Sequence, residues 1–321
     1  MAGRRRKKSG GRSYAWRYRG RIVACVFVEV IIICALVIMI GWNKGVKEWF
    51  EQFEQPVLKE VDISGINSPN AILMQARGGK ILGEINGEAQ IYPASMTKIM
   101  TVILGIENFD DLDEKITLTN EMFSGLYEQD ATQAGFQPGE EVRVIDLLYG
   151  AMLPSGAECC IALADTISGS EADFAELMNK KARKLGMENT HFCDSTGLHN
   201  PDHYSTVKDI AVLMKYCIKN DTFREIVETS RHSTGVTNIH PDGITYYSTM
   251  FKNLSDPTVT GGKILGGKTG YTSEAGHCLV SFAEIEGREY IFVSAGASGA
   301  DGNTIPVSYT HLRAHETRHD L

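Results

Sequence analysis

None of the seven cysteines stands in a Cys-x-x-Cys pair, which removes the spacing that a zinc ribbon or a redox dithiol needs. Cys25 and Cys34 fall inside an apolar run, and the other five (Cys159, Cys160, Cys193, Cys217, Cys278) are odd in number. An odd set argues against a disulfide framework, so they read as buried thiols acting as small hydrophobes. Acidic side chains are missing from the first 21 residues, where nine basic ones stand: Arg4, Arg5, Arg6, Lys7, Lys8, Arg12, Arg17, Arg19 and Arg21. Charge is nearly missing from Ile22 to Gly41, where Glu29 alone interrupts a 20-residue apolar run. At about 1.5 Å per residue a helix of that length spans the roughly 30 Å hydrocarbon core of a bilayer. One buried Glu costs about 3 kcal/mol, which many Ile, Val and Leu neighbours offset by a few tenths each. Cleaved signal peptides have shorter apolar regions ending in small residues, whereas this one ends Ile38-Met39-Ile40-Gly41-Trp42. The expectation is a single-pass anchor in the lipid bilayer over residues 22–41, a basic cytoplasmic tail over 1–21, and an extracytoplasmic remainder. The adjoining apolar run also makes a nucleic-acid-binding arm the weaker reading of the basic segment, and no nucleic acid partner is expected.

What is present after Trp42 has a mixed α/β pattern of the α+β type. Residues 42–65 read as a polar stalk, with the folded domain over 66–305. Ala71 to Ala76 and Lys80 to Asn86 are β-type runs around Arg77-Gly78-Gly79, a hairpin signal. From Ser95 the period becomes helical, with Met96, Ile99, Met100, Ile103 and Leu104 forming one apolar stripe to about Asn108. Ser170, with Asp173 three residues later and Gly186 beyond Leu185, brackets an amphipathic helix through Phe174, Leu177, Met178 and Ala182. Similar patterns follow Ser155 and Ser205. Three strands then close the domain, Gly266 to Gly270, His277 to Ala283 and Tyr290 to Ala295. Two strands before a helical block and three after it form one antiparallel sheet if the block is an excursion. The tail over 306–321, with His311, His315 and His319 and no apolar face, reads as non-native sequence.

Ser95-Met96-Thr97-Lys98 opens the apolar helix, so Ser95 and Lys98 share a face and the hydroxyl sits where unpaired helix N–H groups point. A serine nucleophile needs a base, and a lysine serves when burial and a neighbouring cation disfavour its charged form. Ser-x-x-Lys alone is weak, since roughly one copy per chain of this length arises by chance. A second copy, Ser205-Thr206-Val207-Lys208, reads as a helix cap. Ser155-Gly156-Ala157-Glu158 matches a capping box, and by itself would be assigned to capping. Lys268-Thr269-Gly270 is rarer. It reads as an edge strand presenting a cation and a hydroxyl to a peptide carboxylate, with the glycine leaving room for substrate to pair. His199 and His203, near Asp194 and Asp202, form a conceivable metal cluster, but the surrounding Gly, Pro and Asn favour a loop with satisfied polar groups.

Ser-x-x-Lys, a Ser-Gly motif about sixty residues later, and Lys-Thr-Gly near the domain's end occur in the order that marks penicillin-binding proteins and serine β-lactamases. The segments around Tyr92–Lys98, Met152–Gly156, Gly197–Ser205 and Gly267–Thr272 resemble low-molecular-weight serine D-alanyl-D-alanine carboxypeptidases, over about residues 60 to 305. The resemblance implies a five-stranded antiparallel sheet covered by helices, with a helical subdomain beside it. It implies Ser95 as the acylated nucleophile, Lys98 as general base, and Ser155 as proton relay to the leaving D-alanine. Lys268 and Thr269 would hold the substrate carboxylate, and the backbone N–H groups of Ser95 and Tyr271 would form the oxyanion hole. Peptidoglycan stem peptides are the implied substrate and β-lactams the covalent inhibitors, with no metal or organic cofactor. One departure stands out: Ala157 occupies the place of the family's usual Asn, leaving Glu158 or another side chain to substitute for it. A D,D-endopeptidase, a β-lactamase and a non-catalytic wall-binding module are the alternatives on the same fold.

Overall fold

The computed structural model describes residues 60–254 and 256–299. The anchor, the basic tail and the segment after residue 305 lie outside that range. The main sheet is antiparallel throughout, in the order β2-β1-β10-β9-β8-β7. Its five long strands are β1 (Asn70–Gln75), β2 (Ile81–Ile85), β8 (Gly262–Thr272), β9 (Gly276–Ile285) and β10 (Arg288–Ala297). A two-residue strand, β7 (Thr258–Val259), pairs with Gly262 and Lys263 at the far edge. The sheet is thus the expected five strands with a short sixth. Chain order and sheet order differ because β1 pairs with β10, Asn70 opposite Ala295, which closes the first hairpin onto the last.

Between β2 and β7 the chain makes its excursion. The helices are α1 (Lys98–Asn108), α2 (Val144–Met152), α3 (Ala157–Ser168), α4 (Glu171–Leu185), α5 (Val207–Cys217), α6 (Asp221–Glu228) and α7 (Thr249–Asn253). The sequence signals for α4 have their physical counterparts. Ser170 Oγ accepts the Asp173 N–H at 3.1 Å, and Gly186 ends the helix in the left-handed region, with Phe174, Met178 and Ala182 buried. The cap of α5 is Thr206, one residue later than the expected Ser205; its hydroxyl accepts the Asp209 N–H at 3.0 Å, while Ser205 Oγ pairs with Thr190.

Helix α1 is the centre of the packing. Ile99, Met100, Val102 and Ile103 are fully buried, and the helix lies against α2, α3 and α5. Helix α5 in turn packs on β1 and β10, which ties the helical block to the sheet. Two small ladders carry no periodicity in the sequence: β3 (Lys115–Thr117) with β4 (Glu141–Arg143), and β5 (Arg231–Ser233) with β6 (Thr245–Tyr247). One boundary differs from expectation. Residues 61–63, read as stalk, belong to the domain: Val61 and Ile63 are buried, and the Val61 N–H donates to the Leu82 carbonyl at 2.6 Å. The alternation of two apolar residues about Asp62 lays one face of this segment on the sheet edge.

Candidate active site

Ser95 lies in a 3-10 turn, Ala94–Thr97, which runs directly into α1. Side chains three apart eclipse one another in a 3-10 helix, and here they meet: Lys98 Nζ donates to Ser95 Oγ at 3.0 Å. The same amine donates to the Thr196 carbonyl at 2.7 Å. Ser95 is half-buried, whereas Lys98 is 3% exposed. Ala94, just before the nucleophile position, holds φ at +46°, a strained value for a residue with a side chain.

Ser155 departs from the capping pattern its sequence suggests. The cap position of α3 belongs to Gly156, and no side chain caps the helix. Ser155 instead sits at φ +74° and its Oγ accepts a hydrogen bond from Lys268 Nζ at 3.0 Å. Its would-be capping partner, Glu158, is fully buried and turns the other way; Oε1 accepts the N–H groups of Ala134 at 2.6 Å and Gly135 at 3.0 Å. Glu158 is therefore spent on the 134–136 loop and does not replace the Asn amide missing at Ala157. The Ala157 N–H donates to the Thr132 carbonyl, so this loop and the Ser155 turn are held together at both ends.

Lys268, Thr269 and Gly270 lie on β8, opposite Val280, Leu279 and Cys278 of β9. Lys268 is 1% exposed, and its amine reaches both Ser155 Oγ and its neighbour's carbonyl, Thr269 O, at 2.9 Å. Thr269 Oγ1 lies 2.6 Å from Thr249 Oγ1 on α7. Gly270 has a reason for lacking a side chain that differs from the expected one. A Cβ there would stand 3.0 Å from the Ser95 nitrogen and 3.1 Å from the Pro93 carbonyl, so the glycine makes room for the nucleophile turn itself. This close approach brings the Ser95 N–H beside the strand at the position next to Tyr271. The Tyr271 ring leans on His277, with centroids 4.7 Å apart.

Two Ser–Lys pairs thus face each other, Ser95–Lys98 from the helical block and Ser155–Lys268 bridging block and sheet. Burial lowers the Lys98 amine below the ordinary lysine range, against the opposing fields of Cys160, Asp194 and Glu158. Burial pushes Lys268 down much further, with Lys98 acting in the same direction. Both amines give their described hydrogen bonds to neutral oxygens. A buried amine so placed favours its uncharged form, which has a lone pair to accept a hydroxyl proton. Cys160 is inert at this site: burial pushes its thiol up to about 12, and Sγ lies 3.4 Å from the Gly156 carbonyl.

The structure brings together Ser95, Lys98, Ser155, Lys268, Thr269 and Gly270. The two histidines of the 197–205 segment separate. His199 stacks edge-on against Tyr92, with a loose 4.0 Å approach to Glu274, while His203 is buried against Asp194 and Thr97. Two contributors, the Thr196 carbonyl and the Thr249 hydroxyl, carry no sequence signal. The first is a backbone atom, and the second depends on α7 returning beside β8.

A family model described as D-alanyl-D-alanine carboxypeptidase matches residues 57–299. The D-alanyl-D-alanine carboxypeptidase DacF of Bacillus subtilis is 35% identical over 231 residues, covering 71% of this chain and 57% of that protein. A D-alanyl-D-alanine carboxypeptidase of Streptomyces sp. strain K15 is 37% identical over 205 residues, covering 61% of this chain and 69% of its own length. Among solved structures, the Streptomyces K15 DD-transpeptidase superposes with a TM-score of 0.71 at 27% identity, covering 81% of this chain and 100% of that one. Penicillin-binding protein 5 of Haemophilus influenzae gives 0.66 at 26% identity, covering 77% of this chain and 70% of that one. The match with the Bacillus relative leaves over two fifths of that protein without a counterpart here.

Proposed function

This chain belongs to the D-alanyl-D-alanine carboxypeptidase family, and from that footing we propose that it hydrolyses the terminal D-Ala-D-Ala bond of peptidoglycan stem peptides through an acyl-enzyme on Ser95. One observation carries the reading. A buried amine, lowered below its ordinary range by burial, lies 3.0 Å from the hydroxyl of a half-buried serine. In this scheme one N–H of neutral Lys98 stays on the Thr196 carbonyl while its lone pair takes the Ser95 proton. The freed Oγ attacks the scissile carbonyl carbon, and the oxygen that gains the electron pair is held by the backbone N–H groups of Ser95 and Tyr271. Collapse breaks the C–N bond, and the proton taken up by Lys98 passes through Ser155 to the leaving D-alanine amine, which returns Lys98 to its neutral form. Water then repeats the sequence in the second half, restoring Ser95 and releasing the shortened peptide.

Lys268 and Thr269 hold the terminal carboxylate in this scheme. A carboxylate arriving beside Lys268 supplies the anion that its buried amine lacks, so binding and reprotonation of Lys268 favour each other. A β-lactam carries the same acyl and carboxylate groups and is expected to acylate Ser95. Labelling with a fluorescent penicillin tests the assignment: Ser95→Ala should abolish the signal, and equal labelling of both proteins would remove Ser95 as nucleophile. We also place the chain at the outer face of the cytoplasmic membrane, held by residues 22–41, on the strength of the apolar run and its basic flank.

A further inference from the structure

Behind the Ser95 turn runs a partly buried polar chain that the scheme above does not use. Asp194 Oδ1 accepts three hydrogen bonds, from Thr196 N–H at 2.7 Å, Thr196 Oγ1 at 2.7 Å and Gly197 N–H at 2.6 Å. Its Oδ2 lies 3.0 Å from His203 Nδ1, and His203 Nε2 lies 2.9 Å from Thr97 Oγ1. The Cys193 N–H also approaches Nδ1, at 3.2 Å. The carboxylate, the nearer and charged partner, assigns Nδ1 as a donor, which in a neutral ring leaves Nε2 to accept the Thr97 hydroxyl. His203 and Thr97 are both shut away from solvent, so neither reaches a substrate.

The chain therefore grips the nucleophile turn twice. Thr196, fixed by backbone and side chain to one carboxylate oxygen, is the residue whose carbonyl holds Lys98 Nζ. Thr97, fixed by His203, lies between Ser95 and Lys98 in sequence. Resting on the acyl-enzyme reading, we infer that Asp194 and His203 are positioning residues for acylation, one directing the Lys98 amine onto Ser95 through Thr196 and the other fixing the turn through Thr97. Asp194 is built to stay charged. Burial would raise its carboxyl, yet the contacts from His203, Thr196 and Gly197 outweigh burial and hold it at about 2.

The charge has a second consequence. The groups facing Lys98 are Cys159, Cys160 and Glu158 from α3, Asp194 from its own loop, and Lys268 from β8. Of these, Asp194 is the anion coupled to the Thr196 carbonyl that already touches the amine. Removing its charge disfavours the ammonium form, so the acid limb of acylation, where Lys98 must lose its proton, moves to lower pH. Losing the Thr196 anchor lowers the plateau.

The test uses the full chain and its Asp194→Asn variant, together with Thr97→Val and Thr97→Ser. The second-order rate of acylation by a fluorescent penicillin is followed across pH, with competent sites counted by intact-mass adducts on Ser95. Asp194→Asn should lose on the order of a hundredfold in the plateau, as a misplacement near 1 Å can cost, and its acid limb should shift down. Thr97→Val should lose roughly tenfold per competent site, with Thr97→Ser restoring the rate. A purely structural role would reduce the number of competent sites but leave the rate per site and the limb unmoved, and that result overturns the inference. If Asp194→Asn does not fold, the two Thr97 variants decide: valine as fast as serine refutes it. A wild type that never forms the Ser95 adduct sinks the acyl-enzyme reading and this inference together; one that acylates alongside equally fast variants sinks the inference alone.

Discussion

Replacing Gly197 by alanine isolates how tightly the nucleophile turn is packed. Gly197 has φ +80°, and a Cβ built on it stands 1.9 Å from the Ala94 carbonyl oxygen and 2.8 Å from Thr97 Oγ1. Real Cβ contacts shorter than 3.0 Å are essentially never seen, so the loop and the turn must part by about 1 Å. The nearest partner, the Ala94 carbonyl, is backbone, which cannot swing aside as a side chain tip would. Gly186 supplies the control, since it holds φ +79° with nothing within 4 Å of its would-be Cβ. Gly186→Ala pays only the left-handed strain, about 1–2 kcal/mol, or a melting shift of roughly 2–4 °C per kcal/mol for a domain of this size. Gly197→Ala adds an overpacking cost of about 1–3 kcal/mol and displaces Thr196, whose carbonyl holds Lys98. Its acylation rate by penicillin should fall by on the order of a hundredfold, while Gly186→Ala acylates at the wild-type rate. Differential scanning calorimetry and stopped-flow labelling of both variants are sufficient. Two variants with the same melting temperature and the same acylation rate would refute the claim that the turn and the 194–198 loop are locked together.

Two further outcomes are expected. Lys268→Met should abolish penicillin labelling yet raise the melting temperature at about pH 7, because burial holds the native amine well below 10.5 and the unfolded chain then binds the extra proton. Wild-type stability therefore rises with pH between the native value and 10.5, so the variant's advantage shrinks at about pH 9.5; a pH-independent difference or a less stable variant counts against this. Deleting residues 1–41 should move penicillin-labelled protein from the membrane fraction to the soluble fraction of the producing cells, and retention on the membrane would count against the anchor.

The parts of the fold that could be read in advance were those with a repeating physical signal. The strands at 71–76 and 277–283 show their apolar content, and α4 shows its cap, stripe and terminal glycine. The three-residue ladders at 115–117 and 231–233 are too short to hold a period. At the site, the order of the motifs marked the residues, but what each one touches depended on the excursion between β2 and β7. Ser155 shows why: Ser-Gly-Ala-Glu satisfies the local rule for a capping box, and only the arrival of β8 supplies the Lys268 amine that takes its hydroxyl instead. Gly270 is similar, since the group that needs its empty space is the Ser95 backbone, far away in sequence.

The arrangement also explains why stability and activity should oppose each other here. Lys98 and Lys268 are buried with hydrogen bonds to neutral oxygens, and Ala94 and Ser155 hold positive φ, so four strained or desolvated positions meet at one site. Each destabilises the native state by an amount that packing elsewhere, above all around α1, must offset. The same burial that penalises the Lys98 ammonium favours the uncharged amine, the form that can act as a base. Relaxing the strain by admitting water or a nearby carboxylate would stabilise the charged form and remove that base. Mutations that raise stability at these four positions should therefore lower acylation, whereas stabilising changes on the exposed face of α4 should leave it untouched.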